Sequence, residues 1–347
     1  MNEEKSNGSN YVTFLQALLP ISVVILHTNG VFWIFSENGY WASSNFIECL
    51  FYFAVPVYFM ISGITLIDFR QRYGIKEYFW KRFQKAGLPY LFWSLFGLAY
   101  NVYWKTIDVE SVNLSYVLNG VLNSSFVKIY WFFPVLFGIY LCMPLFASVD
   151  QENRKSTFKY MFVCGMILNI IVPFLTKEIQ FGISFTYTIV VVSEYLIYPV
   201  GGVLLYYYPP KGRTKVIVML LGILGFIIHF YGTYALSIDA GKVVSRYKGY
   251  TNLPCVLYSF AVFLGLRDVS DKIMNNCTIR KIVSFMASYS LPIYLLHYFF
   301  LDTARRLFAF DETTLLYRLC APIIVIPIVI IATYLIRKIP LVKKTLP

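Results

Sequence analysis

"LQALLPISVVILHTNGVFW", Leu15 to Trp33, is a predominantly apolar run with one histidine, His27, set inside it. At 1.5 Å per residue its length matches a hydrocarbon core about 30 Å thick. Runs of the same kind recur to the end of the 347-residue chain, which is 58% hydrophobic and only 14% charged, with a mean hydropathy of +0.62. A soluble domain has too little interior to hide that much apolar surface. Runs near 20 residues are helical spans, since barrel strands need about ten. The sequence therefore predicts an all-α, polytopic transmembrane helical bundle of about ten spans, near 12–34, 46–68, 84–105, 129–149, 158–176, 185–207, 216–236, 251–267, 283–301 and 316–337. The polar stretches between them are short, so residues 1–347 read as a single integral membrane domain. The first run has no small-residue cleavage site and is expected to be a retained helix.

The net charge of +12 does not point to nucleic acid, because the basic residues sit in loops between apolar runs. With the N-terminus inside, most of the Lys and Arg fall on the inner side of the membrane. That places both termini in the cytoplasm, and the protein is expected to be a multi-pass protein of the plasma membrane. The six cysteines show no metal-binding spacing and read as small packing residues, so no metal site is expected.

A polar side chain at bilayer depth needs a partner or a job. Gln16 precedes His27 by eleven residues, three helical turns plus about 20°, so the two share a helix face about 16 Å apart. His27 is either a satisfied packing histidine or a functional one. In "FAVPVYFMISGITLI", Phe53 to Ile67, Ser62 and Gly63 form a small spot suited to close helix packing or to presenting one hydroxyl. "DFRQRYGIKEYFWKRFQKAGLPYLFW", Asp68 to Trp93, is the densest basic cluster. Arg82 and Lys85, one turn apart, suit either lipid headgroups or the phosphates of a cytosolic cofactor. "KIYWFFPVLFGIYLCMPLF", Lys128 to Phe146, opens a span with aromatic residues that include Trp131. "SLPIYLLHYFF", Ser290 to Phe300, sets Tyr294 and His297 one turn apart on one face. Glu194 is a lone acid in an apolar run, expected to pair with a base or line a wet cavity. His229 reads as structural.

Taken in order, these stretches resemble the acyltransferase-3 family of integral membrane acyltransferases, in its short, common-antigen O-acetyltransferase-like form. Gln16 and His27 occupy the family's first-span frame of Arg, ten residues, His. "VPVYFMISG" (Val55 to Gly63) is similar to its second-span element, "KRFQKAGLPYLFW" (Lys81 to Trp93) to its basic approach to the third span, "YWFFPVLFGIYLCMPLF" (Tyr130 to Phe146) to its Trp-Phe span, and "SLPIYLLHYFF" to its late Ile-Tyr-x-x-His element. Gln16 in place of Arg keeps hydrogen-bonding capacity and loses the charge. Ile129 stands where a histidine precedes the Trp in the common-antigen subgroup.

The resemblance implies an acyl donor taken from the cytosol, commonly acetyl-CoA, used as a substrate with no bound cofactor. It implies a glycan or lipid-linked saccharide as acceptor, with membrane lipids and glycan-synthesis machinery as partners and no nucleic acid. It makes His27 the catalytic histidine at the bottom of a cytoplasm-facing tunnel, with Gln16 lining the mouth. Arg82 and Lys85 hold the donor's phosphates, and Ser62, Trp131, Tyr294 and His297 are supporting residues. An exporter or flippase for glycan, or a family member that has lost activity at Gln16, is the alternative.

Overall fold

The computed structural model describes residues 2–179 and 192–347. Helix α1 (Asn2–Thr28) stops at Asn29 and Gly30, where a short 3-10 turn (Gly30–Trp33) redirects the chain. Helices α2 (Gly39–Phe51) and α3 (Ala54–Leu66) follow each other almost without a break. Helix α4 (Ile75–Arg82), a π-helical segment (Phe83–Gly87) and α5 (Leu88–Tyr103) form a second continuous run. A short α6 (Leu114–Leu122) leads to a 3-10 turn (Lys128–Trp131) and α7 (Phe132–Phe146). Next come α8 (Gln151–Gly165) and α9 (Ile197–Tyr207). Helices α10 (Gly212–Ile227) and α11 (Thr233–Ala240) are joined by a π-helical segment (Ile228–Gly232). Helices α12 (Leu253–Ile273), α13 (Cys277–Ala287), α14 (Ser290–Leu307) and α15 (Leu315–Ile336) complete the order. No β-strand occurs among the described residues.

Seven described helical runs are long and apolar enough to cross a membrane: Asn10–Thr28, Gly39–Gln71, Lys128–Phe146, Gln151–Lys177, Gly212–Ala240, Leu253–Ile273 and Leu315–Ile336. Helices α13 and α14, bent by 59° at their junction, make an eighth when taken as one span. Of the ten expected spans, 84–105 corresponds to α5, a helix of 16 residues diluted by Tyr, Trp, Ser and Asn. The span expected at 185–207 falls partly outside the described residues.

Helix α1 sits at the centre, packed against α2, α3 and α12 to α15. Small residues bring helices together where lipid offers no hydrophobic drive for association. A Cβ on Gly63 of α3 would lie 2.4 Å from the Pro199 carbonyl oxygen of α9, and one on Gly202 of α9 would lie 2.8 Å from Met60 Cα of α3. The two backbones touch at both points, so Gly63→Ala forces them apart. Overpacking of this kind costs about 1–3 kcal/mol. The variant is expected to unfold at lower temperature than wild type in the same detergent, and an unchanged transition would contradict the seam.

Prolines set two further joints. A proline inside a helix leaves the carbonyl four residues earlier without its donor. Pro322 of α15 does this to Arg318, whose carbonyl instead accepts from Thr28 Oγ1 of α1 at 3.1 Å. Pro144 of α7 does it to Tyr140, whose carbonyl accepts from the Tyr78 hydroxyl of α4 at 3.0 Å. Each kink-forming residue thus creates the acceptor by which a neighbouring helix is bound.

Candidate functional site

His27 lies one residue from the C-terminal end of α1, not in mid-span, because Asn29 and Gly30 end the helix well before the expected boundary at residue 34. The three residues in this corner are each tied to another part of the bundle. The His27 carbonyl accepts from Arg305 Nη2 of α14 at 2.9 Å. Thr28 binds α15 as described. Asn29 donates to the Ser44 carbonyl of α2 at 2.8 Å, and its Oδ1 accepts from Ser44 Oγ at 2.9 Å and from Arg318 Nη1 at 3.4 Å. Arg305 is itself held by Glu312 through two bonds of 2.7 and 3.1 Å.

The half-buried His27 ring faces the fully buried ring of His297, with centroids 5.1 Å apart and planes inclined by 35°. His297 Nδ1 lies 2.8 Å from the Ile293 carbonyl oxygen. A carbonyl only accepts, so Nδ1 carries the hydrogen. The neutral ring then keeps a lone pair on Nε2. That Nε2 is buried and has no hydrogen-bond partner among the described residues. An unpaired buried acceptor is costly unless something is meant to reach it.

One turn earlier on α14, the Tyr294 hydroxyl donates to the Ile129 carbonyl at 2.5 Å, while the Tyr130 hydroxyl donates to the Leu295 carbonyl at 2.7 Å. This reciprocal clamp fixes the Lys128–Trp131 turn against α14, and Tyr294 spends its hydrogen in making it. Trp131, next in the turn, stacks on Tyr250 at 5.3 Å, and Tyr250 stacks on Tyr52 at 4.3 Å. Ser62 is joined to this assembly only indirectly. Its hydroxyl donates to the Tyr58 carbonyl of its own helix at 3.1 Å. The Tyr58 hydroxyl in turn meets Ser290 Oγ at 3.0 Å.

His229, expected to be merely structural, has company. Lys248 Nζ lies 3.5 Å from its Nε2 and 3.6 Å from Glu48 Oε1, and the Tyr52 ring stands edge-on at 5.0 Å. Lys248 also sits over the Phe32 ring at 4.3 Å and the Tyr52 ring at 4.5 Å. All three polar groups are buried. They fasten the 241–252 segment, which carries Tyr250, to α2 and to the turn that follows His27. Glu194, in contrast, is exposed.

Arg82 and Lys85 stand at the opposite end. From Lys85 to Tyr100 the run through α5 rises about 22 Å. The Tyr100 hydroxyl donates to Asp302 of α14 at 2.8 Å, in the same last turns of α14 that hold Arg305. Arg82 lies over the Tyr78 and Tyr140 rings at 5.9 and 5.7 Å, and its buried Nε has no partner among the described residues. Lys85 is exposed. Lys81, over the Tyr73 ring at 4.0 Å, and Arg72, bound to the Thr65 carbonyl at 3.0 Å, belong to the same basic end. Gln16 is half-buried, and Pro20 removes the i+4 donor from its main-chain carbonyl.

The structure therefore joins His27, His297, Tyr294 and Trp131 around one stretch of α14. It leaves Arg82 and Lys85 far along the bundle and Gln16 about 16 Å from His27 along α1. Sequence reasoning missed Arg305, Arg318, Glu48 and Lys248. Arg318 had a signal, a lone arginine inside the apolar run 316–337. The sequence model of the acyltransferase-3 family, described as an acyltransferase domain, matches residues 9–337. No curated protein and no solved structure matches the chain.

Proposed function

The chain belongs to this acyltransferase family, and from that premise we propose that it moves an acyl group, acetyl or similar, from an acyl-CoA to a hydroxyl of a cell-surface or lipid-linked glycan. The observation that carries the reading is the imidazole pair His27–His297, with one ring nitrogen held as a hydrogen-bond donor and the other left free. In this reading both termini and the Arg82–Lys85 end face the cytoplasm of a plasma-membrane protein. Arg82, Lys85 and the neighbouring Arg72 and Lys81 hold the donor's phosphates, a task suited to guanidinium and ammonium groups. The thioester arm runs along the Gln16 face of α1 toward His27.

The chemistry is an addition followed by an elimination. A sugar hydroxyl is a weak nucleophile at neutral pH, and a neutral imidazole is the side chain suited to taking its proton. As the His27 ring removes the proton, the oxygen attacks the thioester carbonyl. The tetrahedral intermediate collapses, the C–S bond breaks, and the proton passes to the departing thiolate. His297 supports the ring beside it and offers Nε2 as a second station for the proton. Tyr294 and Trp131 hold the surrounding turn, and Ser62 supports it from α3, where its hydroxyl is bound to the Tyr58 carbonyl.

The test is transfer of label from radioactive acetyl-CoA to envelope glycan in membranes containing the wild-type protein. Incorporation is the expected result. Movement of glycan without acylation would replace this reading with export. Arg82→Ala is expected to raise KM for acyl-CoA by about tenfold, the scale of one lost charge-assisted hydrogen bond, with kcat changed much less. An unchanged KM would remove Arg82 from the donor site.

A further inference from the structure

Helices α5, α14 and α15 leave between them a groove of about 730 Å³. Its walls are apolar, formed by Phe96 of α5, Phe299 and Leu307 of α14, and Cys320, Ile324 and Ile328 of α15. Neighbouring residues of α15, among them Leu316, Ile323 and Ile331, are exposed, and this span has a hydropathy of 2.7 with only 28% of it buried. The groove therefore opens on hydrocarbon, not on water. From Thr314 to Ile328, both in its lining, α15 rises about 21 Å. Half of a hydrocarbon core is about 15 Å, so the groove runs the depth of one leaflet and slightly beyond.

Its rim is polar in a particular way. Arg305 is engaged by Glu312, and Arg306 by Asp302 at 2.6 Å. The exposed Asp311 and the side chains of Tyr100, Thr303, Thr314 and Tyr317 line the opening, with the Tyr100 hydroxyl bound to Asp302 and Thr303 and the Thr314 hydroxyl donating to the Asp311 carbonyl. With both arginines already paired, the opening is lined by a carboxylate and by hydroxyl oxygens that still have lone pairs to offer, acceptors that suit a polyhydroxyl headgroup better than a phosphate. Arg305, which follows the lining residue Ala304 in the chain and lies against the lining residue Tyr317, is the residue that binds the His27 carbonyl.

We infer that the groove between α5, α14 and α15 holds a hydrocarbon chain of the acyl acceptor, a membrane lipid with a saccharide headgroup, and seats that headgroup at the rim beside the His27 corner. This deepens the proposed function and rests on it. It names the acceptor as a lipid that arrives sideways from the bilayer rather than a free glycan.

The experiment uses the full chain in nanodiscs. Two photoactivatable probes carry the same diazirine-bearing acyl chain, one on a monoglucosyl diacylglycerol and one on phosphatidylcholine, at equal mole fraction. After irradiation the labelled residues are mapped. Several-fold stronger labelling of residues 299–307 and 320–328 by the glucosyl lipid is expected, and Ala321→Trp, which fills the groove, is expected to reduce it several-fold. Equal labelling by phosphatidylcholine would make the groove a bulk-lipid site and overturn the inference. So would no labelling there. The wild-type comparison decides the matter even if Ala321→Trp does not fold. The readout needs no acyl transfer, so its failure is distinct from a failure of the acyltransferase reading, which appears in the acetyl-CoA assay.

Discussion

His27→Ala is expected to lower acyl transfer by about 10²–10⁴-fold, the usual contribution of a positioned general base, while acyl-CoA binding stays near the wild-type value. The separation follows from the distance between the two ends of the bundle. In the proposed reading the phosphates are held at the Arg82–Lys85 end, and Lys85 lies about 22 Å along α5 from Tyr100, which meets the last turns of α14. His297→Phe sharpens the test. Phenylalanine keeps the ring and the packing but removes both nitrogens. Were His297 only a filler, activity and its pH dependence would survive. The free Nε2 beside His27 instead leads to a fall of about tenfold or more and to the loss of one limb of the pH–rate profile. Transfer that persists at the wild-type rate in His27→Ala, with the variant confirmed folded, would take the base away from this residue.

Lys248→Met has the largest expected effect on stability. Lys248 and Glu48 are buried together, 3.6 Å apart, and removing one partner strands the other. Breaking such a pair costs about 3–5 kcal/mol, whereas replacing both partners with apolar residues is often close to neutral. Lys248→Met is therefore expected to lower the melting temperature sharply. The double variant Lys248→Met with Glu48→Met should recover most of the loss. The variant protein should also lose the Trp131–Tyr250 stack, because the segment bearing Tyr250 is fastened by Lys248. A single variant that melts like wild type would show that the pair contributes nothing net. A double variant no better than the single would show that Lys248 acts through the aromatic rings around it and not through Glu48.

The helices were legible because burial in lipid demands long apolar runs, and these leave an unmistakable record in composition. His27 was legible as a polar exception, and Tyr294 with His297 by their spacing of one turn. What could not be read was partnership across the bundle. Lys248 looked like one more loop charge and Glu48 like an ordinary acid at the start of a span. His229 looked solitary, since nothing local relates it to either. Asn29 and Gly30 end α1 in the middle of an apolar run, so the histidine reads as deeper in its span than it is. Ser62 shows the opposite limit. Its motif is visible, yet the hydroxyl bonds within its own helix, and the neighbouring Gly63 carries the close contact with α9.

The fastening of α1 by α14 and α15 has a consequence for how the protein is made. Arg305 stands 278 positions after His27, and Arg318 stands 290 after Thr28. The ribosome emits residues at about 5–20 per second. For many seconds, therefore, the first helix waits in the membrane with its histidine corner unclosed. A nascent chain halted before α14 has the basic Arg82–Lys85 end and no imidazole pair. Expressed as two pieces divided ahead of α13, the protein should gain activity only when both are made in the same membrane. The histidine corner is among the last parts of this protein to be completed.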